Sequence, residues 1–582
     1  MSASFLCHDG RVPDWTYHPL RRPMAVVLGE SRSRRAALGL VGWIAALPGG
    51  RWIVAGLGHT TPPAEAATRV GGIRTVSTTG ASVGLGSARA SLAALPALGA
   101  GLVEIGPVTP ASAEQARRAL ANARGPVALR VAAEHAVEVG GAVPADLYTV
   151  DFRDDRVDEA LLKQLEGATS RPAFAAVSDG ATSTSGVVIV VRNATPAGVR
   201  RLAPGRTVIA TTDDPSPRHA VKLAEAGATL VLATTEALIA AGPGWFHRTT
   251  LALLAHTHRH ESVRRGSSIA WLAGLALGLG MIAGGVGATA VALGPVLLPY
   301  DESFLGINVT DLQSINSRLI PFLQHDRITL AGTMIAVGIL YAALSWWGIR
   351  AGRSWARDVL LASGVVGFPT LFYFFAYRYV EPVHVLMAAV LFPLFVVATW
   401  SRPRDDGHVA DSVGPDEEWR RALVGQLLMV ATGFGLIVGG ASISLVGLSA
   451  VFVPADLGYM GTSAHALASA NDRLVSFIAH DRAGFGGALV STGVAVFLMA
   501  AWGWQRGAAW VWWTLAAAAT VGFGAALAIH LAVGYVDFLH LLPIYAGTAV
   551  SVMALSLSKP FLAPPRHAVN SMPAEHSRAG ST

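Results

Sequence analysis

The chain has 582 residues, of which 52% are hydrophobic and only 14% are charged, so a water-soluble surface cannot cover all of it. Its formal net charge of +6 is carried almost entirely by arginine, because Lys163, Lys222 and Lys559 are the only lysines. The single cysteine, Cys7, excludes an intrachain disulfide, a CxxC zinc knuckle and an iron–sulfur cluster.

The N-terminal part is predicted to be soluble and cytoplasmic, because its start lacks the long apolar core of a signal peptide. Residues 1–54 are predicted to form a helical segment. Residues 55–262 alternate short β-branched or apolar runs with helical stretches, a pattern typical of a (β/α)₈ barrel. The eight strand candidates are IRTVST, GLVEIG, PVALRVA, LYTVDF, AFAAVS, VVIVV, TVIATT and TLVLAT.

The order of these segments resembles dihydroorotate dehydrogenase of the membrane-associated, quinone-reducing class over about residues 15–255. The run TYHPLRRPMAVVLGESRSRRAALGLVGWIAALPGGRWIVAGL is similar to that class's N-terminal helical pair, which admits the quinone. GASVGLGSARASLAALPALGAGLVEIGPVTP is similar to its first βα unit. TVIATTDDPSPRHAVKLAEAGATLVLATTEALIAAGPGW is similar to its last two units, which hold the FMN phosphate in the family.

At the catalytic and cofactor-binding positions of that family, this chain has other residues. The family's two flavin-contacting lysines fall on Ser87 and Ala175, and its asparagine and base-serine positions fall on Asp151 and Asp154. The phosphate-binding glycine pair becomes Thr212-Asp213, and Glu236 stands in the motif that follows. Three positions, which we keep as candidate cofactor contacts, match the family: Gly84, Asn193 and Gly242.

These departures predict a degenerate barrel, because carboxylates near the phosphate site repel FMN and those near the substrate site repel dihydroorotate. We therefore expect no cofactor and a regulatory, assembly or ligand-binding role. The alternative is an FMN-dependent, quinone-linked oxidoreductase whose substrate has changed, with FMN as its cofactor.

The C-terminal part is predicted to be an all-α membrane domain with eight spans, each about 20 apolar residues long and able to cross about 30 Å of hydrocarbon. We expect four spans in residues 266–400, a cytoplasmic linker over 401–421, four spans in 422–558 and a disordered tail over 559–582. Arginine-rich short connections predict a bacterial-type inner membrane with barrel, linker and tail on the cytoplasmic side. The spans begin near Ile269, Thr329, Asp358, Val383, Ala422, Gly486, Ala509 and Phe538.

This half also repeats itself, since residues such as His325 and His480 recur 155 positions apart within the shared pattern N-x-R-L-x-x-F-x-x-H-D-R. A second shared pattern, Y-V-[E/D]-x-x-H, recurs after one inserted residue. Even numbers of spans in each unit predict a parallel duplication. The candidate site residues, expected in loops or span ends on the non-cytoplasmic face, are His325, Asp326, Arg327, Glu381, His384, His480, Asp481, Arg482, Asp537 and His540.

Each unit is thus expected to present two imidazoles and two carboxylates at one membrane surface. Such groups can relay protons, hold a polar head group or bind a divalent metal, or they can simply anchor re-entrant loops. No ligand spacing is diagnostic, so we predict no metal site. The expected partners are the lipid bilayer and a quinone, a lipid or another membrane protein, with no nucleic acid. A third functional alternative is lipid or small-solute binding or transport by the duplicated domain.

Overall fold

The computed structural model describes residues 14–58, 60–152, 156–181, 188–257, 268–370, 372, 379, 381–400 and 417–564. Asp154 lies outside these described residues, as do most of the predicted linker and tail. The chain divides into two compact units. The barrel unit comprises Met1–Glu261 with Gly407–Arg420, and the membrane unit comprises Ser262–Asp406 with Arg421–Thr582.

The barrel unit contains the predicted parallel barrel, closed by eight strands in the order β10-β3-β4-β5-β6-β7-β8-β9. A short antiparallel hairpin, β1 and β2, precedes it. The strands are β1 Thr68–Val70, β2 Ile73–Thr75, β3 Thr79–Val83, β4 Leu102–Val108, β5 Val127–Ala132, β6 Leu147–Asp151, β7 Ala173–Ser178, β8 Val188–Arg192, β9 Thr207–Thr212 and β10 Ala228–Thr234.

One predicted strand was wrong. The run IRTVST supplies only β2 of the hairpin, and the first barrel strand is β3, five residues rich in small side chains. A small residue is required there, because a Cβ on Gly80 would lie 2.3 Å from the carbonyl oxygen of Leu102 on the neighbouring strand. Small residues give no clear hydrophobic alternation, which is why the pattern did not show this strand.

Helices surround the strands and bury their outer faces. The barrel interior is packed by a separate apolar cluster that includes Leu102, Phe174 and Ile209. The helices of this unit are α1 Asp14–Leu28, α2 Glu30–Ala46, α3 Gly50–Gly58, α4 Ala88–Ala94, α5 Ala113–Leu120, α6 Ala136–Ala142, α7 Glu159–Thr169, α8 Pro196–Leu202, α9 Pro217–Glu225, α10 Thr235–Ala241 and α11 Trp245–Thr257.

The membrane unit is helical in its described parts. Its helices are α12 Ser268–Leu293, α13 Pro299–Leu305, α14 Val309–Ile315, α15 Leu319–Ala343, α16 Ser354–Thr370, α17 Pro382–Trp400, α18 Glu417–Leu448, α19 Pro454–Met460, α20 Ala464–Ala470, α21 Leu474–Trp502, α22 Ala509–Val533 and α23 Phe538–Leu562. The first residues of α18 belong to the barrel unit.

Seven described helices are long and apolar enough to cross a membrane, which indicates a multi-pass membrane protein. They correspond to seven of the eight predicted spans. The span expected near Asp358 falls on α16, a helix of 17 residues. An eighth crossing, and with it the arrangement as two sets of four spans, therefore stays a prediction.

Several features recur in the membrane unit at the spacing seen in the sequence. The seven-residue helices α13 and α19 begin 155 residues apart, as do α14 and α20. Val296 and Val451, also 155 apart, both have φ of 63°. A β-branched residue rarely adopts that conformation, so the two connections share an unusual backbone geometry as well as a sequence pattern.

Candidate functional site

The carboxyl ends of the barrel strands carry a network of ion pairs in the place where barrel enzymes bind their substrates. Arg192 donates to Glu104 at 2.6 Å and to Asp151 at 3.1 Å, and Arg130 donates to Asp151 at 2.5 Å. Glu104 has no exposed surface and also accepts hydrogen bonds from the hydroxyl groups of Ser82 and Thr149. These side chains fill the interior beneath the barrel mouth.

The charge of Glu104 is maintained by this network. Burial acts to raise the pKa of the Glu104 carboxyl, but the Arg192 guanidinium and the two hydroxyl groups outweigh it and hold that pKa below the ordinary value. Glu104 is thus a buried carboxylate that is compensated by its neighbours.

The residues aligned with functional positions of the dehydrogenase family lie at different places in the barrel unit. Ser87 is half-buried at the end of a short 3₁₀ helix that follows β3, and its hydroxyl group donates to the carbonyl of Gly84. Ala175 packs in the layer between strands and helices, so it does not face the barrel interior. Asn193 has φ of 47° and follows β8, and Gly242, with φ of 82°, packs against α1.

The predicted phosphate-repelling carboxylate, Asp213, follows β9 and accepts a hydrogen bond from Thr234 at the end of β10. Of the described family positions, only Asp151 takes part in the ion-pair network. The barrel therefore has charged side chains near its mouth, but Ser87 and Ala175 stand where the family has its flavin-contacting lysines.

The membrane unit brings together a buried group that we call the His325 cluster: His325, Asp326, Arg482, His530 and His540. Nε2 of His325 lies 2.9 Å from Nε2 of His530, and the ring of His540 lies 5.3 Å from that of His530. Nδ1 of His325 lies 3.0 Å from Oδ1 of Asp326, whose other oxygen accepts from Nε of Arg482 at 3.0 Å.

Further hydrogen bonds connect this cluster to Asp456 and Tyr535. Arg482 also donates to Asp456 at 2.5 Å and to the carbonyl of Val451 at 2.8 Å. Tyr535 donates to Asp456 at 2.9 Å, and its ring stacks on His540 at 4.5 Å. Asp456 is fully buried, so its charge depends on these two donors and on its own helix end.

A second group, the His480 cluster, comprises His480, Asp481, Arg327, Glu381 and His384. Nδ1 of His480 lies 3.2 Å from Oδ1 of Asp481, whose other oxygen, Oδ2, accepts from Nε of Arg327 at 2.9 Å. His384 lies 2.6 Å from Glu381, and the rings of His384 and His480 are 5.4 Å apart. Glu381 also accepts from the hydroxyl group of Tyr300 at 3.1 Å.

The clusters are assembled across the sequence repeats, which corrects the expectation that each repeat presents its own set. His325 meets His540 from the second repeat, and His480 meets His384 from the first. Spacing along a chain shows which residues share a helix face, but it cannot show how helices cross. Other hydrogen bonds and ion pairs also join one repeat to the other. They run from Asn316 to the carbonyl oxygen of Met460 at 2.9 Å, from Asn471 to the carbonyl oxygen of Leu305 at 2.9 Å, from Arg482 to Asp326 and from Arg327 to Asp481.

The two clusters also differ. Glu381 pairs with the ring of His384, whereas Asp537 is exposed and accepts a hydrogen bond from the backbone N–H of His540 at 2.7 Å. In the His325 cluster, His530 therefore takes the place that Glu381 has in the His480 cluster. We did not predict His530, because the repeat has Phe at the matching position. A lone histidine inside an apolar span was the signal that could have indicated it.

An elongated cavity of about 750 Å³ lies in the membrane unit. His325, Arg482, His530 and His540 line one end of it, and apolar residues such as Leu436, Val496 and Phe523 line much of the rest. Along α21 the lining runs from Arg482 to Val496, a rise of about 20 Å at 1.5 Å per residue. The cavity thus combines one polar end with an apolar body.

Comparison with known proteins adds no assignment: no protein-family model and no curated protein matches this chain.

Proposed function

We propose that the membrane unit binds a lipid-soluble molecule, with its apolar chain in the 750 Å³ cavity and its head group at the His325 cluster. The observation that carries this proposal is the shape and chemistry of the cavity. Its volume lies within the roughly 300–1,000 Å³ of pockets that bind small molecules, and such pockets combine an apolar lining with a few convergent polar groups.

The charges around the polar end favour a head group that is neutral. Asp326 and Asp456 are both bound to Arg482, so the positive charge is already compensated and cannot attract an anion. Imidazole nitrogens both donate and accept hydrogen bonds. A head group with carbonyl or hydroxyl oxygens, such as that of a quinone or quinol, suits these neighbours better than a phosphate or a carboxylate.

We further propose that the barrel does not carry flavin chemistry. The interior beneath its mouth is filled by the ion pairs of Glu104, Arg130, Asp151 and Arg192, where a bound isoalloxazine ring would displace charged side chains. Asp213, beside the expected phosphate position, opposes a dianion. The barrel then serves as a regulatory or assembly module, and the membrane unit carries the binding function.

Ligand binding is tested on the full chain in lipid nanodiscs, with a radiolabelled benzoquinone bearing a decyl tail as the probe. Ala519 lines the cavity and Ala517, on the same helix, is exposed away from it. Ala519→Phe fills the cavity and is expected to weaken probe binding at least tenfold, whereas Ala517→Phe is the matched control and is expected to keep it. Equal binding by the two variants, or a preference for decanoate over the quinone, would contradict the proposal.

The barrel proposal is tested by heating the purified full chain and measuring released flavin against protein. We expect none, even after incubation with excess FMN. Stoichiometric FMN that bleaches on reduction would instead establish the alternative, a flavin-dependent oxidoreductase.

A further inference from the structure

Three imidazoles from three different helices converge at the polar end of the cavity. His325 lies on α15, His530 on α22 and His540 on α23. One nitrogen of each lies within 4.8 Å of the others. His325 and His530 are almost entirely buried. The ring nitrogens that face one another here need a hydrogen-bond partner or a bound cation, because a buried nitrogen without a partner lowers the stability of the fold.

The hydrogen-bond partner of His530 identifies the chemistry of its inward nitrogen. Nδ1 of His530 lies 2.6 Å from the carbonyl oxygen of Ala526, which can only accept, so this nitrogen carries the hydrogen. Nε2 of His530 therefore presents a lone pair when the ring is neutral. Nδ1 of His325 lies 3.0 Å from the carboxylate of Asp326 but makes no hydrogen bond in this geometry.

The lone pair of His530 faces Nε2 of His325 at 2.9 Å and needs a hydrogen or a cation between the two rings. A hydrogen on Nε2 of His325 satisfies these two nitrogens, but a metal ion also accounts for the third ring, His540, which a shared hydrogen does not need.

The geometry is close to that of a zinc site. Zinc–nitrogen bonds of 2.0–2.1 Å in a tetrahedral site place neighbouring nitrogens roughly 3.3 Å apart, between the closest separation here and the 4.8 Å limit of the set. The carboxylate of Asp326 behind His325 matches the carboxylate–histidine–metal arrangement that orients ligands in many sites. Small rotations of the His540 ring complete the set.

We propose that His325, His530 and His540 bind one zinc-class divalent ion, with its fourth coordination position open to the cavity. Three protein ligands and an open position are typical of zinc sites that bind an exchangeable oxygen ligand. The metal site goes beyond the binding of a lipid-soluble molecule and does not depend on it. With the ion bound, the three imidazoles are its ligands, so a head-group oxygen would bind to the ion at its open position instead of forming hydrogen bonds with the rings.

The His480 cluster contains a second convergent set, since one ligand atom each of Glu381, His384 and His480 also lies within 4.8 Å of the others. The partners of its groups differ from those of the first set. Its Glu381 is already bound to His384 at 2.6 Å and to Tyr300 at 3.1 Å, so the carboxylate has partners without a metal. The ring centroids of His384 and His480 are 5.4 Å apart, against 4.3 Å for His325 and His530. His384 therefore provides the matched control, a partly buried histidine of the same unit outside the proposed ligand set.

The test uses the full chain in detergent, with any affinity tag removed and bound metal stripped by a chelator. Zinc is added, free metal is removed, and the bound metal is measured by plasma mass spectrometry. We expect one zinc per chain in the wild type and in His384→Ala. His530→Ala and His540→Phe, the latter chosen to keep the stack on Tyr535, are expected to bind at least about 10–100-fold more weakly.

Cobalt gives a second readout that a purely structural role would not produce. Tetrahedral Co²⁺ bound to nitrogen ligands absorbs visible light, and this band is expected in the wild type and in His384→Ala but not in His540→Phe. The cavity-filling variant Ala519→Phe is expected to keep its metal, so failure of the lipid proposal is separable from failure of this one. The inference is overturned if the folded wild type binds no metal, or if His384→Ala loses it as fully as His540→Phe.

Discussion

At the scale of single residues, the buried arginines and aspartates described in the histidine clusters of the membrane unit compensate one another. Arg482 lies between Asp326 and Asp456, and Arg327 pairs with Asp481 and lies 3.6 Å from Asp301. Each guanidinium also lies about 5 Å from a phenylalanine ring of the opposite repeat. A pair of this kind adds little stability compared with apolar packing, but removal of one partner leaves a buried charge without compensation.

The substitution Arg482→Ala is therefore expected to be strongly destabilising, by about 3–5 kcal/mol, because Asp326 and Asp456 lose their shared donor. Arg473 provides the control, since it is exposed and donates to the carbonyl of Phe304 at 2.7 Å. Arg473→Ala should cost less than about 1.5 kcal/mol. Thermal unfolding of both variants in one detergent measures the difference, and equal losses would show that the buried pairs do not hold this region.

A second residue-scale prediction concerns the barrel and acid. The folded-state pKa of Glu104 lies below its ordinary value of 4.5, so its contribution to stability is present above the unfolded pKa and is lost as pH falls through the folded pKa. Thermal unfolding of the full chain, monitored by circular dichroism at several pH values between 3 and 7, should show stability falling as the pH drops below the ordinary value of 4.5.

Glu104→Gln is expected to lower stability at neutral pH and to flatten this acid dependence, because the group that titrates is gone. Glu65 is exposed, so Glu65→Gln should leave the profile unchanged. An acid profile of Glu104→Gln that parallels the wild type would assign the pH dependence to other groups.

At the scale of elements, the helices of the membrane unit approach closely through glycine. A Cβ on Gly486 would lie 2.5 Å from the carbonyl oxygen of Gly440 on α18, and one on Gly338 would lie 2.7 Å from that of Gly278 on α12. Small residues at such crossings let backbones pack directly, which is a common basis of helix association in membranes. Both crossings lie between the first and the second long helix of a sequence repeat.

The substitution Gly486→Val should separate α18 from α21 and destabilise the chain by about 1–3 kcal/mol or more, because the valine meets backbone rather than flexible side chains. Gly484, two residues earlier on α21, has no atom within 4 Å of an added Cβ. Gly484→Val has the same intrinsic helix propensity and is the matched control. Size-exclusion profiles and melting temperatures distinguish the two variants, and similar behaviour would argue against close packing at this crossing.

Periodicity predicted the elements well, but not the contacts between them. Seven long apolar runs and seven of the eight barrel strands were visible, since burial of a whole helix or strand imposes a pattern on its residues. The partners of His325 were not visible, because they come from helices more than 200 residues away. The ion pairs of Glu104 and Arg192 were missed for the same reason, as they join strands far apart in sequence.

At the scale of the whole membrane unit, tryptophan and arginine gather at the end opposite the histidine clusters. Arg350 lies 4.4 Å from the ring of Trp346 and 5.0 Å from that of Trp271, and Arg353 lies 5.6 Å from Trp510. Tryptophan is enriched where a span meets the membrane interface, and arginine in short connections is retained on the cytoplasmic side. We therefore propose that the tryptophan–arginine end faces the cytoplasm and that the histidine clusters lie toward the other side.

This orientation is tested by cysteine labelling in a Cys7→Ser background, where no native thiol interferes. Gln313 is exposed near the histidine end, and Ala351 is exposed at the tryptophan–arginine end. A membrane-impermeant maleimide applied to intact spheroplasts should label Gln313→Cys, because its thiol faces outward, and should label Ala351→Cys only after permeabilisation. The reverse pattern would place the histidine clusters and the mouth of the proposed metal site on the cytoplasmic side, and labelling of both in intact spheroplasts would contradict a membrane crossing between them.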